Sequence, residues 1–516
     1  MDLSGVFTTG LIIISLLLII WGALRALNSI WWTPKKMEKE LKQQGIKGNS
    51  YKILYGDMKE LMSLMIDAWS WPMNLGHAIV PRVTPFVMNA VQNYGKLPLI
   101  WAGKTPRLVV VDPAMVKEIL SDKFNHFEKP QVNPLILVLT RGLTSLEGEK
   151  WANHRKIINP AFHLEKLKDM VQAFSTSCSE LIERWQKLVE SQGSCELDVW
   201  PELESLTADV ISRTAFGSNY EEGKKIFELQ KEQATLVIEA MQSLYIPGFR
   251  FIPTRKNRKR NNLDKEIKAM LKQMIDKREQ AIKTGQSDAG DLLSLMLQSN
   301  NHVSDRFSEC LTIEEVIEEC KLFHFAGQET TSSLLTWTMI VLAMHPNWQE
   351  EARREVHQFC RKNPPSFDAI SHFKIVTMIL YEVLRLYPPV VEFYRHSCKT
   401  IKVGNVSLPP GVDLTLPILL LHHDRDLWGE DVEEFKPERF AEGISKAPKE
   451  QLAFFPFGWG PKICVGQNFA MIEAKMALAM ILQNFSFELS PSYTHAPYTV
   501  ITLQPQHGAQ IILHHL

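Results

Sequence analysis

The 516-residue sequence contains no Cys-x-x-Cys pair. Its seven cysteines, Cys178, Cys195, Cys310, Cys320, Cys360, Cys398 and Cys464, stand far apart. An odd count at wide spacing argues against a disulfide framework and against a paired-cysteine zinc site, and points to a reducing compartment. Charge of either sign is not in excess: the formal net charge is −1 at pH 7. The chain therefore carries no overall electrostatic footprint for nucleic acid or for an acidic partner. Low-complexity linkers, repeats and long Gly/Ser tracts are also missing. Length alone suggests two to four domains, but the sequence beyond its N-terminal region reads as one large unit. No Gly-x-Gly-x-x-Gly follows a strand pattern, so the chain has no dinucleotide fingerprint of its own.

Charge is wholly absent between Asp2 and Arg25, and Gly10 to Leu24 is almost entirely apolar. Such a run is long enough to cross a hydrocarbon core of about 30 Å. Arg25, Lys35, Lys36, Lys39 and Lys42 follow it, which by the positive-inside rule places the N-terminus in the lumen and the remainder in the cytosol. A cleaved signal peptide is the rival reading, but its basic leader and a clean small-residue cleavage site are missing. Trp31-Trp32-Thr33-Pro34 is expected to end the anchor, giving an anchor and linker over 1–33 and a second domain over 34–516.

Most of that domain reads as helix, with charged helical stretches at 163–190, 222–243 and 263–283. A small β region is expected at Pro98 to Trp101, Arg107 to Val111, near Val403, and between Tyr498 and Leu513. The loop Tyr245 to Pro253 is apolar and precedes Arg255, Lys256, Arg258, Lys259 and Arg260. It is either a partly packed loop beside a solvated charge run or a second membrane contact.

What the sequence does have is a distinctive cysteine. Cys464 lies in Phe457-Gly458-Trp459-Gly460-Pro461-Lys462-Ile463-Cys464-Val465-Gly466, and a helical pattern begins directly after Gly466. A cysteine near a helix N-terminus is biased towards thiolate, and flanking glycines let a bulky flat ligand approach the backbone. A thiolate ligand to haem iron needs that chemistry; the bland alternative is a buried structural cysteine in a turn.

A second landmark is a long helix. Thr312-Ile313-Glu314-Glu315 has the form of a capping box, and the pattern runs to His345, where Pro346 stops it. Its middle reads Ala326-Gly327-Gln328-Glu329-Thr330-Thr331. Small residues there would let a macrocycle lie against the helix. Glu329 and Thr330 bring a carboxylate and a hydroxyl to one point: either a back-bonded hydroxyl beside a solvated acid, or a proton relay. Trp151 and Arg155 stand at i, i+4 on one helix face. Glu382 and Arg385 stand at i, i+3 as a structural salt bridge, and Arg439 supplies a second arginine.

Taken in order, these fragments resemble the cytochrome P-450 superfamily along essentially the whole chain. The resemblance implies a mainly α fold with a small β region, haem b as cofactor, and Cys464 as the iron ligand. It implies Phe457, Gly460 and Gly466 in the haem loop, with Trp151, Arg155, Arg395 and Lys462 on the propionates. Lys462 stands where the family normally has Arg, which keeps the charge and loses the bidentate fork. Glu329 and Thr330 match the oxygen-activation motif. Glu382, Arg385 and Arg439 together resemble the Glu–Arg–Arg core lock of the family. Phe457-Gly458-Trp459-Gly460, Gly466-Gln467-Asn468-Phe469-Ala470, His495-Ala496-Pro497 and Leu503-Gln504-Pro505-Gln506 look like the plant terpenoid-oxidising subfamily that includes secologanin synthase. The implied activity is a monooxygenase reaction on a terpenoid, triterpenoid before iridoid. It would draw electrons from a separate NADPH-dependent reductase at the endoplasmic reticulum membrane. A haem-thiolate isomerase or dehydratase, and a non-catalytic haem-binding protein, are the alternatives. Expected pocket-lining segments are Gln131 to Leu146, the helix near Phe325, Val390 to Phe393, and Thr499 to Ile501. Regiochemistry is not readable.

Overall fold

The computed structural model describes residues 3–130, 133–190, 193–218, 220–241, 248–284, 290–299 and 310–516. The chain divides into two compact units. The first comprises Met1–Asp67, Thr84–Pro130 and Tyr394–Pro417; the second comprises Ala68–Val83, Gln131–Phe393 and Ile418–Leu516.

In the first unit, helix α1 (Leu3–Leu27) is apolar and exposed, and by length and composition it can cross a membrane. Pro34 does not end it. The helix passes through a π-helical turn at Asn28–Trp32 into α2 (Thr33–Gln43). A π turn widens the backbone ladder locally, which lets the chain continue past a proline that has no N–H to give. The turn is tied to the globular residues of this unit. Tyr51 Oη donates to the Ile30 carbonyl oxygen at 2.6 Å, and Lys104 Nζ donates to Ser29 Oγ at 2.6 Å.

Among the described residues the largest sheet has five strands, in the order Leu99–Ala102, Thr105–Val109, Asp413–Leu416, Phe393–Ser397, Phe127–Glu128. The first two form an antiparallel hairpin, and Thr105–Val109 runs parallel to Asp413–Leu416.

The second unit is built on helices. The labels continue with α3 (Gly148–Ile158), α4 (Leu164–Glu190), α5 (Val199–Phe216), α6 (Ile313–Met344) and α7 (Gln467–Asn484). Helices α4 to α7 pack on one another around fully buried side chains such as Phe174, Ile340, Leu478 and Leu482. The capping box forms as the sequence implies: Thr312 Oγ1 accepts from the Glu315 N–H, and the Thr312 N–H donates to Glu315 Oε2. Pro346 then opens the next helix, Pro346–Cys360. Near its middle α6 crosses α5 at Gly327. A Cβ there would come within 2.8 Å of Ile211 Cγ1. Helix packing therefore calls for a glycine at this crossing.

Helices Tyr220–Met241 and Arg255–Lys283 match the charged stretches of the sequence. The second starts earlier than its pattern suggests, because Thr254 caps it and the basic run forms its first turns. Lys256 pairs with Glu239 at 2.9 Å, Lys259 pairs with Glu232 at 2.5 Å, and Arg260 donates to the Leu236 carbonyl at 2.9 Å. Tyr245, Ile246 and Pro247 lie outside the described residues. Phe251 is 75% exposed. A further sheet places Gln510–His515 between Ser194–Asp198 and Phe485–Leu489, antiparallel to both.

Candidate functional site

The loop before α7 is shaped by two glycines with left-handed backbone, Gly458 (φ 78°) and Gly460 (φ 72°), on either side of Trp459. They fold the chain back so that the Cys464 N–H donates to the Phe457 carbonyl oxygen at 2.9 Å. Gly466 has an ordinary φ of −93° and caps α7; a Cβ on it would meet only Phe162, at 3.8 Å.

Helix α3 braces this loop. Arg155 Nη1 donates to the Ile463 carbonyl oxygen at 2.8 Å. Lys462 forms an ion pair with Glu147, and its ammonium lies 5.8 Å from the centre of the Trp151 ring. Trp151, Arg155 and Lys462 are therefore gathered around the residues just before Cys464. Helix α3 is in turn bonded to α6, where His154 Nδ1 lies 2.6 Å from Glu319 Oε1. The Leu143 N–H donates to the other oxygen of Glu319 at 3.1 Å. Phe162 completes the frame by stacking on Phe323 of α6 and meeting Phe469 of α7 edge-on. Arg395 belongs to the first unit, where its Nη1 donates to the Tyr394 carbonyl at 2.8 Å.

Two observations show an opening in this frame. Helix α6 is buried at 320–324 and again at 331–342, but Phe325, Ala326, Gly327, Gln328, Glu329 and Thr330 are only half-buried. Cys464 as a residue is likewise exposed; its sulfur is packed round by protein, and that desolvation pushes the thiol up, against the opposing pull of the Gly466 N–H and the Arg155 guanidinium. This differs from the thiolate bias expected of a helix N-terminus. The cysteine sits three residues before α7, and desolvation outweighs one N–H and one cation. A bound metal cation would reverse that balance, since a coordinating thiol is deprotonated outright.

The donor set decides what kind of metal fits. Among the described residues no group of three or more His, Cys, Asp or Glu side chains is placed to hold an ion. A lone thiolate does not retain a bare cation, but it would suffice for iron already held within an organic cofactor. Cys464 and the half-buried stretch of α6 fit haem in that sense.

On α6, Thr330 Oγ1 donates to the Ala326 carbonyl at 2.9 Å. One oxygen of Glu329 is held by protein donors: Thr502 Oγ1 donates to its Oε1 at 2.7 Å, and Gln504 Nε2 donates to the same oxygen. Away from this site, Glu382 binds Arg385 through two bonds of 2.7 and 2.8 Å, and Arg439 Nε stands 3.5 Å from it. The structural lock is thus formed. Glu147, His154, Glu319, Thr502 and Gln504 had no sequence signal of their own. Each acts through a partner far along the chain, although His154, Gln504 and neighbouring residues lie inside fragments that the sequence singles out.

Comparison with known proteins agrees with this geometry. The family profile described as Cytochrome P450 matches residues 70–511. The chain is 56% identical to Cytochrome P450 CYP72A616 of Paris polyphylla over 500 residues, covering 96% of each chain. It is 52% identical to Cytochrome P450 CYP72A219 of Panax ginseng over 510 residues, 98% of this chain and 97% of the relative. It is 49% identical to Cytochrome P450 72A68 of Medicago truncatula over 517 residues, 99% of both.

Proposed function

The chain belongs to the cytochrome P450 family and is a haem-dependent monooxygenase of the plant CYP72A type; from that membership and the Cys464 site we propose that it oxidises a terpenoid, a triterpenoid before an iridoid. The observation that carries the site is the glycine-shaped loop of Cys464, folded back on Phe457 and braced by Arg155 of α3 directly before α7.

When bound, haem supplies the activation of dioxygen for insertion of one oxygen atom into a C–H bond. Cys464 would hold the iron as thiolate. Trp151, Arg155 and Lys462 would take the propionates, and Phe457, Gly460 and Gly466 would shape the loop around the group. Thr330 handles a proton at its Oγ, which can accept from water while it donates to Ala326; Glu329 is the neighbouring acid. Substrate is positioned by the described part of 131–146, by Phe325, by Val390 to Phe393, and by Thr499 to Ile501. Gln131 and Val132 lie outside the described residues. These segments are mostly apolar, which suits a terpenoid skeleton. Electrons come from an NADPH-dependent reductase. The protein is a single-pass protein of the endoplasmic reticulum, anchored by 1–33, with the catalytic domain 34–516 in the cytosol.

Two experiments test this reading. In Cys464→Ser the reduced carbon-monoxide complex loses the long-wavelength Soret band of thiolate-ligated haem, because a hydroxyl is a far poorer donor to iron; an unchanged band would falsify the ligand assignment. Microsomes carrying the protein and a plant reductase, supplied with triterpene acids, iridoids and gibberellins in parallel, give oxygenated product from the triterpene acids. Turnover of another class alone sinks the substrate assignment and leaves the site intact.

A further inference from the structure

Glu329, Ser333 and Trp337 recur every fourth residue, so they share one face of α6. All three are bonded to the same short piece of chain. Ser333 Oγ donates to the Leu503 carbonyl oxygen at 2.6 Å, and Trp337 Nε1 donates to that same oxygen at 3.0 Å. Ser333, Trp337 and Leu503 are fully buried. Those two bonds fix the hairpin formed by Pro497–Thr499 and Leu503–Pro505 to α6 without help from Glu329.

The third attachment is different in kind. Thr502 and Gln504 direct two donors at one oxygen of a carboxylate. That carboxylate has a like-charged neighbour, Glu204 of α5. Burial raises the Glu204 carboxyl, its ion pair with Lys231 lowers it, and the charge of Glu329 raises it again. Beside that neighbour, two charge-assisted hydrogen bonds hold the Glu329 side chain in place. Both donors converge on Oε1, so they leave Oε2 as the oxygen that can exchange a proton with water.

We infer that Thr502 and Gln504 are positioning residues that hold Glu329 in the rotamer from which it supplies protons to the site. This rests on the reading of Glu329 as the proton-handling acid. It also gives a role to the Leu503-Gln504-Pro505-Gln506 fragment that sequence resemblance alone leaves without one.

The test needs no substrate. Without substrate, dioxygen takes either two electrons and two protons to give hydrogen peroxide, or four electrons and four protons to give two waters. NADPH, through the reductase, supplies the electrons. The share of NADPH electrons recovered as peroxide therefore reports proton supply. The full-length protein is compared as wild type, Glu329→Gln, Thr502→Ser, and the double variant Thr502→Val with Gln504→Leu. Glu329→Gln and the double variant should each raise the peroxide-to-water ratio about tenfold, a fraction of what a well-placed acid contributes. Thr502→Ser, which keeps the hydroxyl, should match wild type. Hydrogen exchange of the 497–505 amides should be unchanged in the double variant, since Ser333 and Trp337 still hold the hairpin. A wild-type ratio in the double variant beside a raised ratio in Glu329→Gln overturns the positioning role alone. A wild-type ratio in Glu329→Gln overturns the acid and the positioning role together. A ratio that rises only with faster exchange at 497–505 makes the two residues structural pegs and also overturns the inference.

Discussion

His154 of α3 and Glu319 of α6 meet at 2.6 Å with both side chains shut off from solvent. The contact locks the helix that carries Trp151 and Arg155 to the helix that carries Glu329 and Thr330. Replacing His154 by Phe leaves a carboxyl buried with one bond fewer, which costs about 1–3 kcal/mol. Urea unfolding of His154→Phe should show that loss, and the variant should release haem faster than wild type because α3 no longer holds its register. Unchanged haem retention would separate the pair from the site.

Thr330→Ala should uncouple the enzyme and leave it able to turn over. Among the described residues the hydroxyl is bonded only to the Ala326 carbonyl, so the helix loses little by its removal. Haem spectra and NADPH oxidation should persist, while product falls and hydrogen peroxide rises. Full product yield with no extra peroxide would reduce Thr330 to a structural hydroxyl.

A network of buried histidines predicts acid sensitivity. His77 Nδ1 lies 2.9 Å from Tyr387 Oη, and His77 Nε2 lies 3.0 Å from His345 Nε2. His495 bridges Tyr493 and the Gly76 carbonyl. Desolvation pushes His77 down to about 3 and His495 to about 4, from an ordinary value of 6.5. Below 6.5 the unfolded chain binds protons that the folded one refuses. The stability these groups contribute is therefore complete above 6.5 and is lost as pH falls towards 3–4. Each contributes a slope of about 1.4 kcal/mol per pH unit within that window. Urea midpoints measured from pH 7 to pH 5 should fall, and the fall should be shallower in His495→Gln.

The proposed membrane anchor can be cut in two places. Removing 1–27 takes away α1 and leaves Ser29 and Ile30 on their partners Lys104 and Tyr51. Removing 1–33 destroys those contacts. The shorter deletion should retain the thermal midpoint of the haem domain, and the longer one should lower it; equal midpoints would place the boundary near Pro34. Flotation of the shorter form with and without Phe249→Asp and Phe251→Asp tests the exposed Phe249–Ile252 tip as a second membrane contact. Equal binding in both forms removes it.

The features legible in the sequence are those set by local chemistry. The apolar span, the Thr312 capping box, the glycine-bounded cysteine loop and the helix stop at Pro346 each rest on a few neighbouring residues. Features that depend on distant partners were not legible. The π turn that carries the helix through Pro34, the packing role of Gly327 against Ile211, and the clamp on Glu329 each need a partner that only the fold supplies. The thiolate bias of Cys464 fell between the two, since its N–H donor is local but the desolvation that opposes it comes from the whole surrounding unit.

The strand Gln510–His515 pairs on one side with Ser194–Asp198 and on the other with Phe485–Leu489. The latest-made strand of the described chain thus fills the middle of its sheet, bonded to a strand made some three hundred residues earlier. Closing so long a loop is slow, and until it closes both outer strands present unpaired edges. During synthesis the N-terminal apolar helix emerges first and the keystone strand last. That sheet is therefore completed only long after the apolar helix has been made. A chain cut short by a few residues after Ala509 would keep every residue of the haem site and still expose two strand edges to aggregation.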